Sequence, residues 1–157
     1  MNKTELDFQR VMKDIGFFVI KSSKEEDIKD HIDFYSENRK FSFDVKGEKK
    51  LNRKDKSTDS DIIWIENKNV RGDKGWLYGK ATHIVFELDG YFNFISRCKL
   101  ASFMEKFIDD KVVYNKKEYK KWYRRKGRKD IITFIYKKDI NHLIEKRVKI
   151  TNNDLLL

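Results

Sequence analysis

A stretch of alternating polar and apolar residues, His31 to Lys46, contains the side chains best suited to metal binding or catalysis. Successive side chains of a strand point to opposite faces, so a hairpin here would collect the polar side chains on one face. The apolar face would hold Ile32, Phe34, Phe41, Phe43 and Val45. The polar face would hold His31, Asp33, Tyr35, Ser42, Asp44 and Lys46.

The two aspartates of this polar face are predicted to oppose each other. With a two-residue loop at Asn38-Arg39, paired residues have numbers that sum to 77, and Asp33 then faces Asp44. Opposed side chains in such a ladder are about 4.5–5.5 Å apart at Cβ, and like charges at that distance repel. A divalent ion held by both carboxylates would remove the repulsion, and carboxylate oxygens suit Mg²⁺ or Mn²⁺. The alternative is a solvated polar face whose acids have no joint function.

A third carboxylate, Glu5, lies near the start of a predicted helix over residues 4–15. The apolar stripe of that helix is formed by Phe8, Val11, Met12 and Ile15. On a helical wheel Glu5 lies at the edge of this stripe, so its side chain should point partly inward. An inward carboxylate needs a partner, because desolvating it alone costs several kcal/mol. The alternative is an acid in the first turn that interacts only with the helix dipole.

The remaining elements predict a mixed α/β (α+β) domain. Asp89-Gly90 is a strong two-residue hairpin signal between the strands that flank it. Helices are predicted at 4–15 and 97–109 and from about Asp139, with a short helix or turn at 73–80. Strands are predicted at 17–20, 31–35, 41–46, 62–66, 83–88, 91–95 and 131–136.

Charge is distributed very unevenly along the 157 residues. The formal net charge is +10, and residues 111–129 hold ten basic side chains and one acid, a local net charge of 10 − 1 = +9. A single domain over 1–157 is expected, with a core at about 4–110, this basic segment and a closing strand and helix at 130–157. No apolar run is long enough to span a membrane, and the single Cys98 excludes an intrachain disulfide. These features favour a cytoplasmic protein.

The basic segment is predicted to be a helix that docks through its aromatic side chains and presents cations to a phosphate backbone. Tyr119, Trp122 and Tyr123 would form its aromatic stripe. The alternatives are a solvated helix face and an anionic membrane surface. A polar loop at 47–61 adds further cations directly after Lys46. The candidate nucleic-acid-binding residues are Lys49, Lys50, Arg53, Lys116, Lys117, Lys120, Lys121, Arg124, Arg125, Lys126 and Arg128.

In these residues the sequence resembles the PD-(D/E)XK, or restriction-endonuclease-like, nuclease superfamily, in particular its phage nucleases and Holliday junction resolvases. The matches are Glu5 on the first helix, Asp33 on a strand and the tripeptide Asp44-Val45-Lys46 on the next, within about residues 4–96. Ile32 stands in place of the proline of the family signature, a proline that the family often lacks. A second tripeptide, Glu66-Asn67-Lys68, competes for the signature, and Glu66 is either an added ligand or a strand-end acid.

The resemblance implies an αβββαβ core with a central mixed sheet and Mg²⁺- or Mn²⁺-dependent hydrolysis of phosphodiester bonds. Asp33, Asp44 and the backbone carbonyl of Val45 would hold the metal, and Lys46 would stabilise charge on the phosphate and orient water. Glu5 would be an outer or second-metal ligand. The bacterial cytoplasm would be the location if the chain is phage-encoded.

The expected function is a DNA endonuclease acting on double-stranded or branched DNA. The competing class is a non-catalytic nucleic-acid-binding module, and a third is an RNA-directed or structure-specific nuclease. Dimerisation is a hypothesis that rests on the small size of the chain and on the two-strand cuts that such folds commonly make.

Overall fold

The computed structural model describes residues 1–52, 54–114 and 116–151. It is a mixed α/β structure, which confirms the predicted class. The helices are α1 (Lys3–Asp14), α2 (Lys24–Asp30), α3 (Arg97–Phe107) and α4 (Lys137–Ile140), with 3₁₀ turns at Trp76–Tyr78 and Asn141–Leu143. The strands are β1 (Val19–Lys21), β2 (Phe34–Ser36), β3 (Ser42–Lys46), β4 (Ile62–Lys68), β5 (His83–Leu88), β6 (Tyr91–Ser96), β7 (Asp109–Tyr114), β8 (Lys121–Arg124), β9 (Ile131–Tyr136) and β10 (Ile144–Lys149).

The larger of two sheets has six strands in the order β1-β2-β3-β5-β6-β10. Its central pair, β3 and β5, is parallel, and the other pairs are antiparallel. The connection from β3 to β5 contains β4 of the second sheet and the 3₁₀ turn at Trp76–Tyr78. A parallel pair needs such a long crossover, because the chain must return to the same end of the sheet.

Helix α1 covers one face of the six-stranded sheet through the stripe that the sequence predicts. Phe8, Val11 and Met12 are buried. The ring centroid of Phe8 lies 5.4 Å from that of Phe34 and 5.3 Å from that of Phe92. Aromatic pairs at this separation add to the stabilisation from buried area. This packing fixes the first turn of α1, and with it Glu5, over the β2–β3 hairpin.

The opposite face of the six-stranded sheet packs against α3 and a four-stranded sheet with the order β4-β9-β8-β7. Alternation along β5 divides its side chains between the two sides, since Ile84 and Phe86 belong to this second core and Val85 to the core under α1. Residues of β4 and α3, including Ile65 and Met104, complete the second core.

The predicted hairpin register is confirmed, because Phe34 pairs with Phe43 and Tyr35 with Ser42. Two details of the apolar face are wrong. Phe41 precedes β3 and is 45% exposed, and Ile32 precedes β2 and packs into the second core instead of under α1. The first strand is also shorter than predicted, because α2 reaches Asp30 and His31 closes it in the left-handed region with φ 55°.

The predicted basic helix is wrong, since the segment forms β7 and β8. Trp122 is buried in the second core while its neighbours point the other way, which is a strand alternation. Valine, tryptophan and tyrosine favour strands, and a helix would place like charges four residues apart. Those repelling pairs would be Lys116/Lys120, Lys117/Lys121, Lys120/Arg124 and Lys121/Arg125.

The other predicted elements agree with the structure to within a few residues, except at the end of the chain. The β5–β6 hairpin turns at Asp89-Gly90 as predicted. The terminal helix is only one turn long, and β10, which the sequence analysis missed, adds an edge strand beside β6. Within the described ranges, no helix combines the length and apolar character needed to cross a membrane.

Candidate active site

Asp33 is the residue before the first residue of β2. Its carboxylate accepts a hydrogen bond from β3 that a backbone carbonyl would accept if β2 began earlier. Its backbone N–H donates to the Phe43 carbonyl at 2.8 Å, and its Oδ2 accepts from the Val45 N–H at 2.7 Å. A strand would normally satisfy that N–H with a backbone carbonyl. The side chain is therefore fixed, with only 6% of the residue exposed.

Asp44, the opposed aspartate, is buried to 2% exposure on the neighbouring strand. Its Oδ1 lies 2.9 Å from Lys46 Nζ, and its Oδ2 is buried without a hydrogen-bond partner. A buried carboxylate oxygen with no partner is costly, because it has lost its water without replacement. The two acids are thus not a solvated polar face, which was the alternative from the sequence.

The neighbouring charge of Asp44 and the burial of the site both affect the ionisation of Asp33. Burial and, second, the charge of Asp44 raise the pKa of Asp33 from 3.8 to about 7, while the Val45 N–H and Lys46 act in the opposite direction. Glu5 adds a smaller upward contribution to this pKa. Asp33 consequently favours a bound proton or a nearby cation around neutral pH.

Glu5 points toward this pair, as its position on the helical wheel predicted. Asn2 caps α1 by accepting from the Glu5 N–H at 2.8 Å, and Glu5 Oε2 lies 3.8 Å from Lys21 Nζ. The same ammonium lies 3.9 Å from Asp33 Oδ1 and donates to the Asp33 carbonyl at 3.2 Å. Lys21 therefore holds the helix acid and the strand acid together.

One open cavity of about 530 Å³ is lined by Glu5, Asp33, Asp44, Val45 and Lys46 together. The side chain of Val45 belongs to the core under α1. Gly47 lies at the rim, where a Cβ atom would come within 2.7 Å of Thr4 Oγ1 on α1. A side chain between the end of β3 and the start of α1 would therefore require the Thr4 hydroxyl to move.

Glu66 lies on the other side of Lys46, in a neighbouring cavity that also contains Trp76. Burial raises the pKa of Glu66, and the charge of Lys46 opposes that shift. Lys46 Nζ is 5.0 Å from the centre of the Trp76 ring. Glu66 lines this neighbouring cavity and not the cavity of the aspartates. Its role as an added metal ligand stays a prediction.

The donor set of the aspartate cavity fits a hard divalent ion with few protein ligands. In the described part of the chain, no group of three or more His, Cys, Asp or Glu side chains is arranged to hold a metal ion. Mg²⁺ typically uses one or two carboxylates and keeps several waters or substrate oxygens. The partnerless Asp44 Oδ2 and the repelled Asp33 are suited to that kind of site.

The predicted basic residues divide into two groups. A cleft of about 800 Å³ between the 47–61 loop and β8 is lined by Lys49, Lys50, Lys117, Arg125, Lys126 and Arg128. The other group lies outside this cleft and consists of Lys116, Lys120, Lys121 and Arg124. Lys121 pairs with Asp109 at 2.9 Å, and Lys120 lies over the Phe107 ring. Arg53 lies outside the described residues.

The sequence analysis missed Lys21 and Glu48. Glu48 accepts hydrogen bonds from Ser60 Oγ at 2.5 Å, Thr58 Oγ1 at 2.8 Å and the Asp89 N–H at 2.8 Å, which anchors the 47–61 loop. It lines both the aspartate cavity and the basic cleft. The role of Glu48 depends on contacts with residues distant in sequence, and Lys21 is identifiable only from the β1–β2 pairing.

No family model, curated protein or solved structure matches this chain. The geometry of the aspartate cavity and the adjoining basic cleft is therefore the basis for a functional assignment.

Proposed function

We propose that the protein is a Mg²⁺- or Mn²⁺-dependent DNA endonuclease of the restriction-endonuclease-like type. The observation that carries the proposal is the meeting of Glu5, Asp33, Asp44 and Lys46 in one cavity, with Asp44 Oδ2 buried and without a partner. Two buried carboxylates that repel each other are unfavourable for folding. A cation bound by the two carboxylates would remove their repulsion, and this accounts for an arrangement that is otherwise unfavourable.

Asp33, Asp44 and the Val45 carbonyl would hold the metal ion. When bound, the ion polarises a phosphate oxygen and lowers the pKa of a water molecule. Lys46 supplies a positive charge beside the same carboxylates, 2.9 Å from Asp44 Oδ1, where it would stabilise negative charge that develops on the phosphate. Lys21 of β1 lies between Glu5 and Asp33, 3.8 Å and 3.9 Å from their carboxylates, and would hold Asp33 in position.

The basic cleft supports DNA as the substrate, because it adjoins the aspartate cavity through Glu48 and Lys49, which line both. Its cations come from two segments far apart in sequence, which makes a shared phosphate-binding surface a better explanation than a solvated segment. Phosphate contacts of this kind position a nucleic acid without reading its sequence.

The function is tested by incubating supercoiled and branched DNA with the protein in Mg²⁺, Mn²⁺ or EDTA. We expect cutting only with a metal ion. Lys46→Met should lose most cutting and keep most DNA binding, because it removes charge stabilisation at the reacting phosphate. Lys99→Met, which removes an exposed lysine from α3, is the matched control. Intact DNA under all metal conditions, with binding retained, would favour the non-catalytic binding module.

The basic cleft should also determine how DNA binding depends on salt concentration. Replacing Lys50, Lys126 and Arg128 by alanine should reduce the slope of log binding constant against log salt by about 2.7 for duplex DNA, since each phosphate contact adds about 0.9. Replacing Lys111, Lys116 and Lys120 removes the same charge outside the cleft and should change the slope less. Equal slopes for both triple variants, measured by fluorescence anisotropy, would exclude the cleft as the binding surface.

A further inference from the structure

The outer face of the four-stranded sheet is apolar and aromatic where it forms a wall of the basic cleft. Directly paired residues place their side chains on the same face. The register aligns Glu66, Ile132 and Tyr123 in one row across three strands, and Trp64 pairs with Phe134 two residues along. Trp64, Ile132 and Tyr123 line the cleft and are only half-buried.

The ring of Trp64 is held rigidly in this wall. Its Nε1 donates to the Lys50 carbonyl at 2.9 Å, and the Phe134 ring packs against it with the centroids 5.7 Å apart. Lys117 Nζ lies over one face of the ring, 5.5 Å from its centre, and donates to the Leu51 carbonyl at 3.1 Å, so a base that stacks on that face would displace this ammonium. A fixed aromatic face loses little conformational entropy when a flat ligand stacks on it.

We propose that this face is a stacking platform for unpaired bases, formed by Trp64 and Tyr123 with Ile132 between them. The proposal rests on the nuclease function above and names its substrate class: DNA with a single-stranded stretch next to the cut. Bases in a duplex are stacked on one another, whereas unpaired bases offer a free aromatic face to tryptophan and tyrosine.

The lining of the cleft favours a single strand. Its aromatic and apolar wall lies beside six cations and one carboxylate, Glu48. Of these cations, Arg125 is paired with Asp130 at 2.6 Å. A strand can place its phosphates along the cations while its unpaired bases reach the platform.

The platform borders a second cavity that reaches a residue of the candidate active site. Trp64 and Ile132 also line the neighbouring cavity that contains Lys46 and Glu66. A strand stacked on Trp64 therefore continues toward Lys46, whose ammonium contacts Asp44. This connection places the unpaired bases beside the phosphate to be cut and leaves the duplex arm outside the cleft.

The experiment uses the full chain in EDTA, so that binding is measured without hydrolysis. A blunt duplex is compared with the same duplex carrying a single-stranded tail that contains 2-aminopurine, whose fluorescence falls when it stacks. We expect roughly tenfold tighter binding of the tailed duplex, together with quenching. Trp64→Leu combined with Tyr123→Leu should remove both effects.

Two further variants separate stacking from folding. Trp64→Phe keeps an aromatic ring and should retain most of the quenching, while Tyr114→Leu removes an exposed aromatic of β7 outside the cleft and should have no effect. Circular dichroism checks that each variant is folded. Equal affinity of the wild type for blunt and tailed duplexes without quenching would overturn the platform, whether or not the protein cuts DNA. Quenching without any cutting would retain the platform and overturn the nuclease.

Discussion

Asp44→Asn should reduce DNA cutting about 10³-fold or more while binding in EDTA is unchanged or stronger. Asp44 contributes the buried oxygen that has no partner, Oδ2, and the loss of metal-assisted charge stabilisation is worth several kcal/mol. DNA binding should not suffer, because the substitution removes a negative charge from the cavity that faces the phosphate. Single-turnover cutting at saturating Mg²⁺ and anisotropy in EDTA measure the two effects separately.

The same substitution should stabilise the metal-free protein, since it removes the charge that repels Asp33. Urea unfolding in EDTA measures this gain. Asp27→Asn is the matched control, because Asp27 lines the same cavity and carries the same charge, but it lies on α2 away from the strand pair. We expect little change in cutting for that control. An Asp44→Asn protein that cuts at the wild-type rate would contradict the assignment of the cavity as an active site.

The second large effect is on stability: the contribution of Asp33 to the stability of the metal-free protein should fall as the pH rises from about 4 to about 7. Burial and the charge of Asp44 raise the folded-state pKa of Asp33 from 3.8 to about 7. Between these values the folded protein binds more protons than the unfolded chain, so the free energy of unfolding falls with increasing pH. Lys21, Lys46 and Glu5 also face Asp33, and the two lysines only partly offset the repulsion.

The comparison of wild type with Asp33→Asn isolates this effect. Asparagine keeps an oxygen for the Val45 N–H but does not ionise, so its advantage over the wild type should grow by an amount on the order of a few kcal/mol between pH 4 and pH 8. Glu66 and Glu87, whose pKa values burial also raises, contribute equally to both proteins. Added Mg²⁺ should stabilise the wild type more at pH 8 than at pH 5, because the ion binds the ionised pair. A difference between the two proteins that does not vary with pH would contradict the pKa of Asp33.

The hairpin was predictable because its information is local. Alternation over His31 to Lys46 determined the faces, and the short turn determined the register that opposes Asp33 and Asp44. Neither the alternation nor the turn indicates that both aspartates are buried, because their burial depends on α1 and on the parallel pairing of β3 with β5. The bounds of α1 and the β5–β6 hairpin were likewise local features.

The basic segment was mispredicted because its pattern is compatible with two periods. Tyr119, Trp122 and Tyr123 have helical spacing, but Trp122 and Tyr123 lie on opposite faces of a strand. Pairing of β8 with β7 and β9 decides between these possibilities, and β9 is a partner that only the folded chain provides. Tertiary contacts of this kind commonly override local preferences. The cleft between this sheet and the 47–61 loop could not be predicted from the sequence for the same reason.

Gly47 has a consequence for how this protein can evolve. The residue performs no chemistry, yet it lies between the last residue of β3 and the loop of the basic cleft, with Thr4 Oγ1 at 2.7 Å from where a Cβ would be. A side chain at this position would require the Thr4 hydroxyl, in the first turn of α1 beside Glu5, to move. The residues accepted at positions 47 and 4 should therefore depend on each other, although neither residue takes part in the proposed chemistry.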